Sequence, residues 1–504
     1  MSGRDEALRL RNRRAAPLAR VPVLDGDRFA ETIADAVSGG DRIISLFGLV
    51  ETPDTLRLVA VLGDDEQGQL RAISSLVSQQ LPPLSRGCPQ AARFEREIAE
   101  QCGAAVAGFQ APKPVRRHPP DHAPSGWPAR PHDRDWFPFT SIAGEEVHEV
   151  AVGPVHAGVI EPGHFRFQAH GEEVLSLDIM LGYQHRGVER LLEALDRRRA
   201  VLVAESIAGD TVIAHTSAWC GAIEALARCQ KSPRAQALRG IALELERLAN
   251  HIGDLGTLAG DVAYQPAAAY FGRLRGECLN LLMLVSGNRY GRGLVRPGGV
   301  GFDVPAEMAA EIGLRVGQLR EALPPVASLL LDAPSVQSRF EGTGVVSAEL
   351  CGVHGFVGPV ARSAGVLRDV RHDYPYGVYR FVQIPVASAW AGDVFARALV
   401  RWLEIQRSLE FVTEQLRALP RGECRVPCGA LAPGELVVAL EEGWRGEVVH
   451  VAVTDDAGRI RRHKVTDPSF RNWDAVALAM RGGQISDFPL CNKSFNLSYA
   501  GHDL

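Results

Sequence analysis

Through the second half of the chain, apolar residues recur at three- and four-residue spacing, which predicts amphipathic helices. HRGVERLLEALDRRRAVLVAES, ALRGIALELERLANHIGDLGTLAGDV, AAAYFGRLRGECLNLLMLVSG, AEMAAEIGLRVGQLREALPPVASLLL and FARALVRWLEIQRSLEFVTEQLRAL all carry the pattern. Helices of that length and number imply a bundle. Shorter alternating runs flank them. EVHEVAVGPVHAGVIEPGHFRFQAHGEEVLSLDIMLG reads as two or three antiparallel strands joined by Gly/Pro loops. GELVVALEEGWRGEVVHVAVTDDAGRIRRHKV reads as a hairpin with a DDAG turn, and the tail after it holds one short helix.

The first hundred residues mix the two periods. RFAETIADAV, AISSLVSQQLPPL and RFEREIAEQCG read as helices, while RIISLFGLVE and TLRLVAVLG read as strands, so a small α+β domain is predicted. From Pro112 to Pro138 the chain turns rich in proline, histidine and arginine, the composition of an extended linker or a surface-hugging strap. The predicted division is an α+β domain over 20–111, a linker over 112–145, and a mainly helical bundle with flanking β-hairpins over 146–504.

Composition narrows the function classes. The 504 residues are 46% hydrophobic and 23% charged, with a net charge of −5, which fits a globular protein and gives no reason to expect nucleic-acid binding. No apolar run reaches the length of a membrane span and no signal-peptide core opens the chain, so any membrane link is expected to run through a partner. Nine scattered cysteines suit reduced thiols in a cytoplasmic protein, and the lone close pair Cys424/Cys428 is a weak metal signal.

One stretch organises the rest: ESIAGDTVIAHTSAWCGAIE, residues 205–224. It predicts a buried helix whose first turn holds Asp210 and Thr211, with His215 on a nearby face. Its small residues (Ala208, Gly209, Ala214, Ala218, Gly221) leave room for another element to approach the backbone. The Gly/Pro-shaped loop from Gly153 to Gly163 carries His156 and Glu161, with His164 directly after. Polar groups on such a loop favour ligand contact.

The ordered blocks GPVHAG–EPGHFRF–GE, LGYQHRGVE, RLANHIGDLG, RPGGV, GPVARSAG–DVR–PY–VY, EGWRGE and DPSFRNW resemble the large subunit of membrane-bound NiFe hydrogenases of the formate-hydrogenlyase and hydrogenase-4 type. The same blocks are similar to the quinone-site large subunit of respiratory complex I, and residues 20–140 resemble the smaller complex I subunit often fused in front of it. In the hydrogenases two cysteine pairs hold nickel and iron. In this chain Ala208 and Thr211 stand at the first pair's positions, and Ser469 and Asn472 at the second pair's. A methyl, two hydroxyls and an amide do not replace thiolates around a soft metal pair, so no NiFe centre is expected.

What remains by resemblance is the complex I use of the fold. The chain would pass electrons from a 4Fe–4S cluster, held in a partner small subunit and not in this chain, to a quinone in a pocket replacing the metal site. The resemblance assigns His156, Glu161 and His164 to the quinone-binding loop, Arg186, Arg289 and Arg296 to the vicinity of the partner's cluster, and Asp261 to a functional acid near the pocket. Gly209 stands where complex I has its headgroup tyrosine, and Gly291 where it has a cluster-coupled histidine. Asp210 and His215 are the expected substitute proton donors, Asp210 with a raised pKa; His185 is expected to be a structural hydrogen-bonder. Expected partners are a complex-I-like small Fe–S subunit, a ferredoxin-like Fe–S subunit and antiporter-like membrane subunits, with no nucleic acid. The expected location is cytoplasmic, peripheral on the inner face of the cell membrane. The competing reading is a metal-free, non-catalytic scaffold that couples such partners.

Overall fold

The computed structural model describes residues 6–106, 113–127, 137–156 and 160–504. The expected α+β architecture is observed. The N-terminal sheet runs in the order Leu8–Leu10, Gln69–Val77, Thr55–Asp64, Arg42–Thr52, with Val23–Leu24 added in parallel to Gln69–Val77. Helices Gly26–Ser38 and Ala92–Cys102 pack on it through Phe29, Ile33, Phe94 and Ile98. AISSLV, predicted helical, lies in an interior strand of this sheet, Gln69–Val77. It is buried on both faces along most of its length, Ser74 and Ser75 included, so the alternation that marks a half-exposed strand is missing.

The strap expected after this unit is irregular where described and hugs the molecule. Arg116 donates to the His502 carbonyl (2.8 Å) and pairs with Glu97; the Trp127 indole donates to the Asp54 carbonyl (3.0 Å). Residues 107–112 and 128–136 of this region lie outside the described residues.

Strands Val147–Val152, His164–His170 and Glu173–Met180 form the second sheet, with His164–His170 in the middle. The bundle centres on Pro233–Asp261, which packs on Gln265–Ser286 and Val394–Arg417. Ser232 starts this central helix, its hydroxyl accepting from the Ala235 amide ahead of Pro233. The predicted hairpin is a three-stranded meander, Glu435–Gly443, Gly446–Thr454 and Ile460–Thr466, buried almost throughout. Its outer neighbour is Ala16–Pro17, so the N-terminal segment feeds one short strand into each of two sheets. The tail holds three helices rather than one: Pro468–Met480, Phe488–Phe495 and Tyr499–Asp503. The last two span only two turns and one, too short for periodicity to register.

The N-terminal unit is welded to the meander. Arg42 pairs with Glu447 (2.6 Å) and with Asp65 (2.8 Å), and Arg471 donates to the carbonyls of Ile43 and Ile44 (both 2.5 Å). No helix among the described residues is long and apolar enough to cross a membrane.

Candidate functional site

The helix of the organising stretch spans Val212–Leu226, so Asp210 and Thr211 precede it rather than form its first turn. All but one of its residues are buried, and it packs against the first two meander strands. The small residues serve as expected: a Cβ on Gly443 would fall 3.3 Å from the Ala214 methyl, and Arg13 lies across Gly221. Thr211, at the N-cap, gives no side-chain cap. Glu246, reaching over from the central bundle helix, accepts the orphan amides of Ile213 (2.6 Å) and Ala214 (3.2 Å) instead. Burial outweighs those bonds and pushes the Glu246 carboxyl up to about 8, with the Asp210 charge adding to the rise.

The meander delivers two further groups. Gly443 and Gly446 pair across a hairpin whose tip is just Trp444 and Arg445. The tip is held backbone to backbone: a Cβ on Gly358 would fall 2.1 Å from the Arg445 carbonyl oxygen. The Trp444 indole donates to the Thr211 hydroxyl and to the Asp210 carbonyl, both at 3.1 Å. Arg445 donates to both Asp210 carboxylate oxygens (2.5 and 2.8 Å), to the Thr211 hydroxyl (3.0 Å) and to the Asn496 carbonyl (2.5 Å).

This overturns the raised pKa expected for Asp210. Burial does work against its charge, but the Arg445 guanidinium more than offsets that and holds the carboxyl below its ordinary value. Asp210 is therefore a carboxylate at neutral pH and no proton donor; the protonated carboxyl beside it is Glu246.

The four positions at which the resemblance places the hydrogenases' cysteines are all buried. Thr211 is engaged by Trp444 and Arg445. The Ser469 hydroxyl accepts from the Ser498 amide (2.9 Å), and Asn472 exchanges two hydrogen bonds with the Val357 backbone (3.0 and 3.1 Å). Ala208 offers only a methyl. These groups fit no nickel–iron pair: none is a thiolate, and each polar one already has a partner within the chain. Four packed positions, rather than an enclosed pocket, stand where the sequence placed the quinone headgroup.

The open space lies next door. Gly209 is exposed, and a Cβ there would meet none of the described residues within 4 Å. Asp210, a third exposed, borders it. Glu161 accepts the amides of Tyr499 (3.2 Å) and Ala500 (3.3 Å); burial raises its pKa against the pull of Arg445. Arg186 clamps the Ser206 and Ile207 carbonyls (2.6 and 2.9 Å). Val155 and Ile160 are exposed apolar tips of the same loop as Glu161, whose residues 157–159 lie outside the described residues.

The other expected residues are more dispersed. His156 and His164 brace their loop, the first lying 3.0 Å from the Gly163 carbonyl and the second 2.9 Å from that of Gly153. Arg296 pairs with Glu205 (2.6 Å), just ahead of the site, and lines a groove of about 1120 Å³ with Arg197, Arg198 and Arg425. Arg289 is exposed, stacked over Tyr290. Asp261 ends the central helix in an ion pair with Lys493. At 1.5 Å rise per residue it lies roughly 16 Å along the helix from Asn250, which holds the Asp210 carbonyl (2.9 Å). Between Glu246 and Asp261 on that helix, Asp254 is bonded to Arg401 (2.6 Å) and Asn496 (2.5 Å). His185 is a structural bonder, its Nδ1 lying 2.7 Å from the Asp503 carbonyl.

His215 has more company than expected. Its Nε2 lies 2.9 Å from the carboxylate of Asp467, the N-cap of Pro468–Met480, and its Nδ1 lies 3.3 Å from His450 Nε2; His450 Nδ1 in turn lies 2.9 Å from His463 Nε2. All three imidazoles are fully buried. Among the described residues, the ligand-type side chains of His118, Asp121 and His185 come within 4.8 Å of one another. Its two imidazoles stack in parallel at 4.2 Å, so their lone pairs do not converge on a metal.

This fold and these blocks define a large subunit of the class shared by complex I and membrane-bound hydrogenases, and comparison with known proteins agrees. The respiratory-chain NADH dehydrogenase 49 kDa subunit family matches residues 261–430 and 425–503. The carbon monoxide-induced hydrogenase of Rhodospirillum rubrum is 33% identical over 354 residues, 69% of this chain and 97% of the relative. NADH-quinone oxidoreductase subunit 4 of Thermus thermophilus is 30% identical over 370 residues, 68% of this chain and 90% of the relative. Formate hydrogenlyase subunit 5 of Escherichia coli is 27% identical over 437 residues, 84% of this chain and 76% of the relative. The chain belongs to the family of complex I and membrane-bound hydrogenase large subunits.

Proposed function

We propose that this chain is a metal-free large subunit of a complex-I-like, membrane-associated oxidoreductase, and that it passes electrons from a 4Fe–4S cluster in a small partner subunit to a quinone. The acceptor would sit at the open face beside Gly209, bordered by Asp210, Glu161 and Arg186, and not among the four packed positions. The observation that carries this reading is the unfilled space over Gly209 next to a fixed carboxylate–guanidinium pair. Arg445 and the protonated Glu246 carboxyl stand close by, so charge appearing on a reduced headgroup would meet a cation and a proton reservoir. Partners would include the Fe–S subunits and antiporter-like membrane subunits, with peripheral attachment to the inner face of the membrane.

The test is reduction of a soluble quinone analogue by the purified assembly. Replacing Gly209 by Leu, which fills the open face without touching the Asp210–Arg445 pair, is expected to abolish it. Unchanged activity in that variant would defeat the placement.

A second reading has its own support. Trp444 and Arg445 seal the interior where the hydrogenase resemblance places metal, as a subunit kept only to couple its partners would allow. In that case the assembly reduces no quinone, yet loses integrity when this chain is removed.

A further inference from the structure

The His215–His450–His463 row joins a helix to two meander strands, and three titratable rings in a dry interior are costly to keep. Their hydrogen bonds run in one direction. If the Asp467 carboxylate accepts from His215 Nε2–H, then His215 Nδ1 is an acceptor and takes the proton of His450 Nε2. His450 Nδ1 likewise accepts from His463 Nε2. Every ring then holds its proton on Nε2, and the row ends on His463 Nδ1, a buried nitrogen with no partner among the described residues. That bare lone pair points away from Asp467.

Beyond it the groups continue. Glu193 accepts the His463 backbone amide (3.1 Å), His122 Nε2 lies 3.2 Å from the same Glu193 oxygen, and His122 Nδ1 lies 2.7 Å from Asp121, which reaches solvent on the strap. At the other end, Asp467 lies near Arg445, within range of its charge.

We infer that Asp467, His215, His450 and His463 form a proton relay that, continued through Glu193 and His122, connects the strap surface at Asp121 with the Arg445 side of the proposed acceptor face. This rests on the functional reading above, and it supplies what quinone reduction needs. Two electrons come from the partner's cluster and two protons from solvent, and each quinone leaves as a quinol. A proton taken up at His463 Nδ1 displaces the Nε2 proton to His450, then to His215, then to Asp467. No bond to carbon changes, and the rings reset by exchanging tautomers. One water would close the gap between Glu193 and His463 Nδ1, and a second the step from buried Asp467 to the acceptor face.

The surroundings suit conduction rather than storage. His450 faces His215 from the buried helix and His463 from the next strand, with Glu189 and Arg13 near; His463 faces Glu193, Glu189 and Arg462. Burial and the neighbouring rings hold His450 far below its ordinary pKa, and burial lowers His463 to about 4. An excess proton therefore does not rest on these rings.

The assembled complex, carrying ¹⁵N-histidine, gives a test that needs no turnover. Solid-state nitrogen spectra are expected to show His450 and His463 neutral and Nε2-protonated; an Nδ1-protonated or doubly protonated His450 overturns the relay. In the turnover assay, His450→Gln and, separately, His463→Gln are expected to slow quinone reduction about 10²-fold. The solvent isotope effect should grow, added imidazole should partly restore the rate, and reduction of the partner's cluster should proceed as before. Wild-type rate and isotope effect in both variants overturn the relay. If the unaltered complex reduces no quinone, the functional reading fails, and the nitrogen spectra alone decide the relay.

Discussion

Arg445 grips both carboxylate oxygens of Asp210, at 2.5 and 2.8 Å, and the hydroxyl of Thr211 at 3.0 Å. One guanidinium thus neutralises the Asp210 carboxylate and engages Thr211, one of the four positions at which the resemblance places a metal-binding cysteine. Arg445→Met is expected to destabilise the chain by about 1–3 kcal/mol, because it leaves Asp210 facing Asp467 uncompensated; solvent screening at the third of Asp210 that is exposed keeps the loss below that of a fully buried pair. Adding Asp210→Asn should recover part of it, as read from urea midpoints of both variants.

Glu246 makes stability depend on pH with a definite sign. Its folded pKa of about 8 lies above the unfolded value, so between about 4.5 and 8 the folded state binds more protons and stability falls as pH rises. Glu246→Gln keeps an acceptor for the helix amides but carries no charge. It is expected to flatten this slope and to exceed the wild type at pH 8 by on the order of 1–3 kcal/mol, visible in thermal midpoints taken across that range.

The buried histidines act in the opposite sense at lower pH. With its folded pKa depressed to about 4, His463 binds its proton more weakly in the fold than in the unfolded chain, so its contribution is present above about 6.5 and is lost as pH falls toward 4. His450 adds to this. His463→Gln should reduce the drop in thermal midpoint between pH 6.5 and 4.5 while changing little at pH 8.

Arg42 sits under the N-terminal sheet with its charge split between Glu447 and Asp65. Arg42→Ala removes the shorter of two arginine contacts from each carboxylate, leaving Asp65 with Arg368 (3.1 Å) and Glu447 with Arg471 (3.5 Å). A loss of about 2–3 kcal/mol is expected, below that of a buried charge left with no partner. Hydrogen exchange should quicken first along Arg42–Thr52 and the Gly446–Thr454 strand that this arginine ties together.

Elemental analysis of the purified chain should find nickel well below one atom per molecule. Cadmium or zinc should displace nothing, since no cysteine stands at the four positions.

The long helices were legible because each buries one stripe and exposes the other; the spacing that marks Leu243, Leu248, Ile252 and Leu255 in sequence is the face they bury. The interior strand around Ser74 was not, since burial on both sides erases alternation. In the site, the blocks located Asp210, His215 and the four exchanged positions, but could not show that Arg445 would reverse the direction of the Asp210 pKa. That needs the hairpin tip folded against the helix start, a contact between residues more than two hundred apart. Glu246 hid for the same reason. His450 did leave a trace: a lone imidazole in VVHVAV is out of keeping with an apolar strand, and His463 repeats it one strand later.

The two-residue tip that carries Trp444 and Arg445 has glycines at both ends and backbone against its back, so it has no slack to take an insertion. The chemistry of the site is therefore open to change by exchange of side chains and closed to change by lengthening the loop. Cysteines introduced at all four exchanged positions would still find an indole and a guanidinium standing in the doorway.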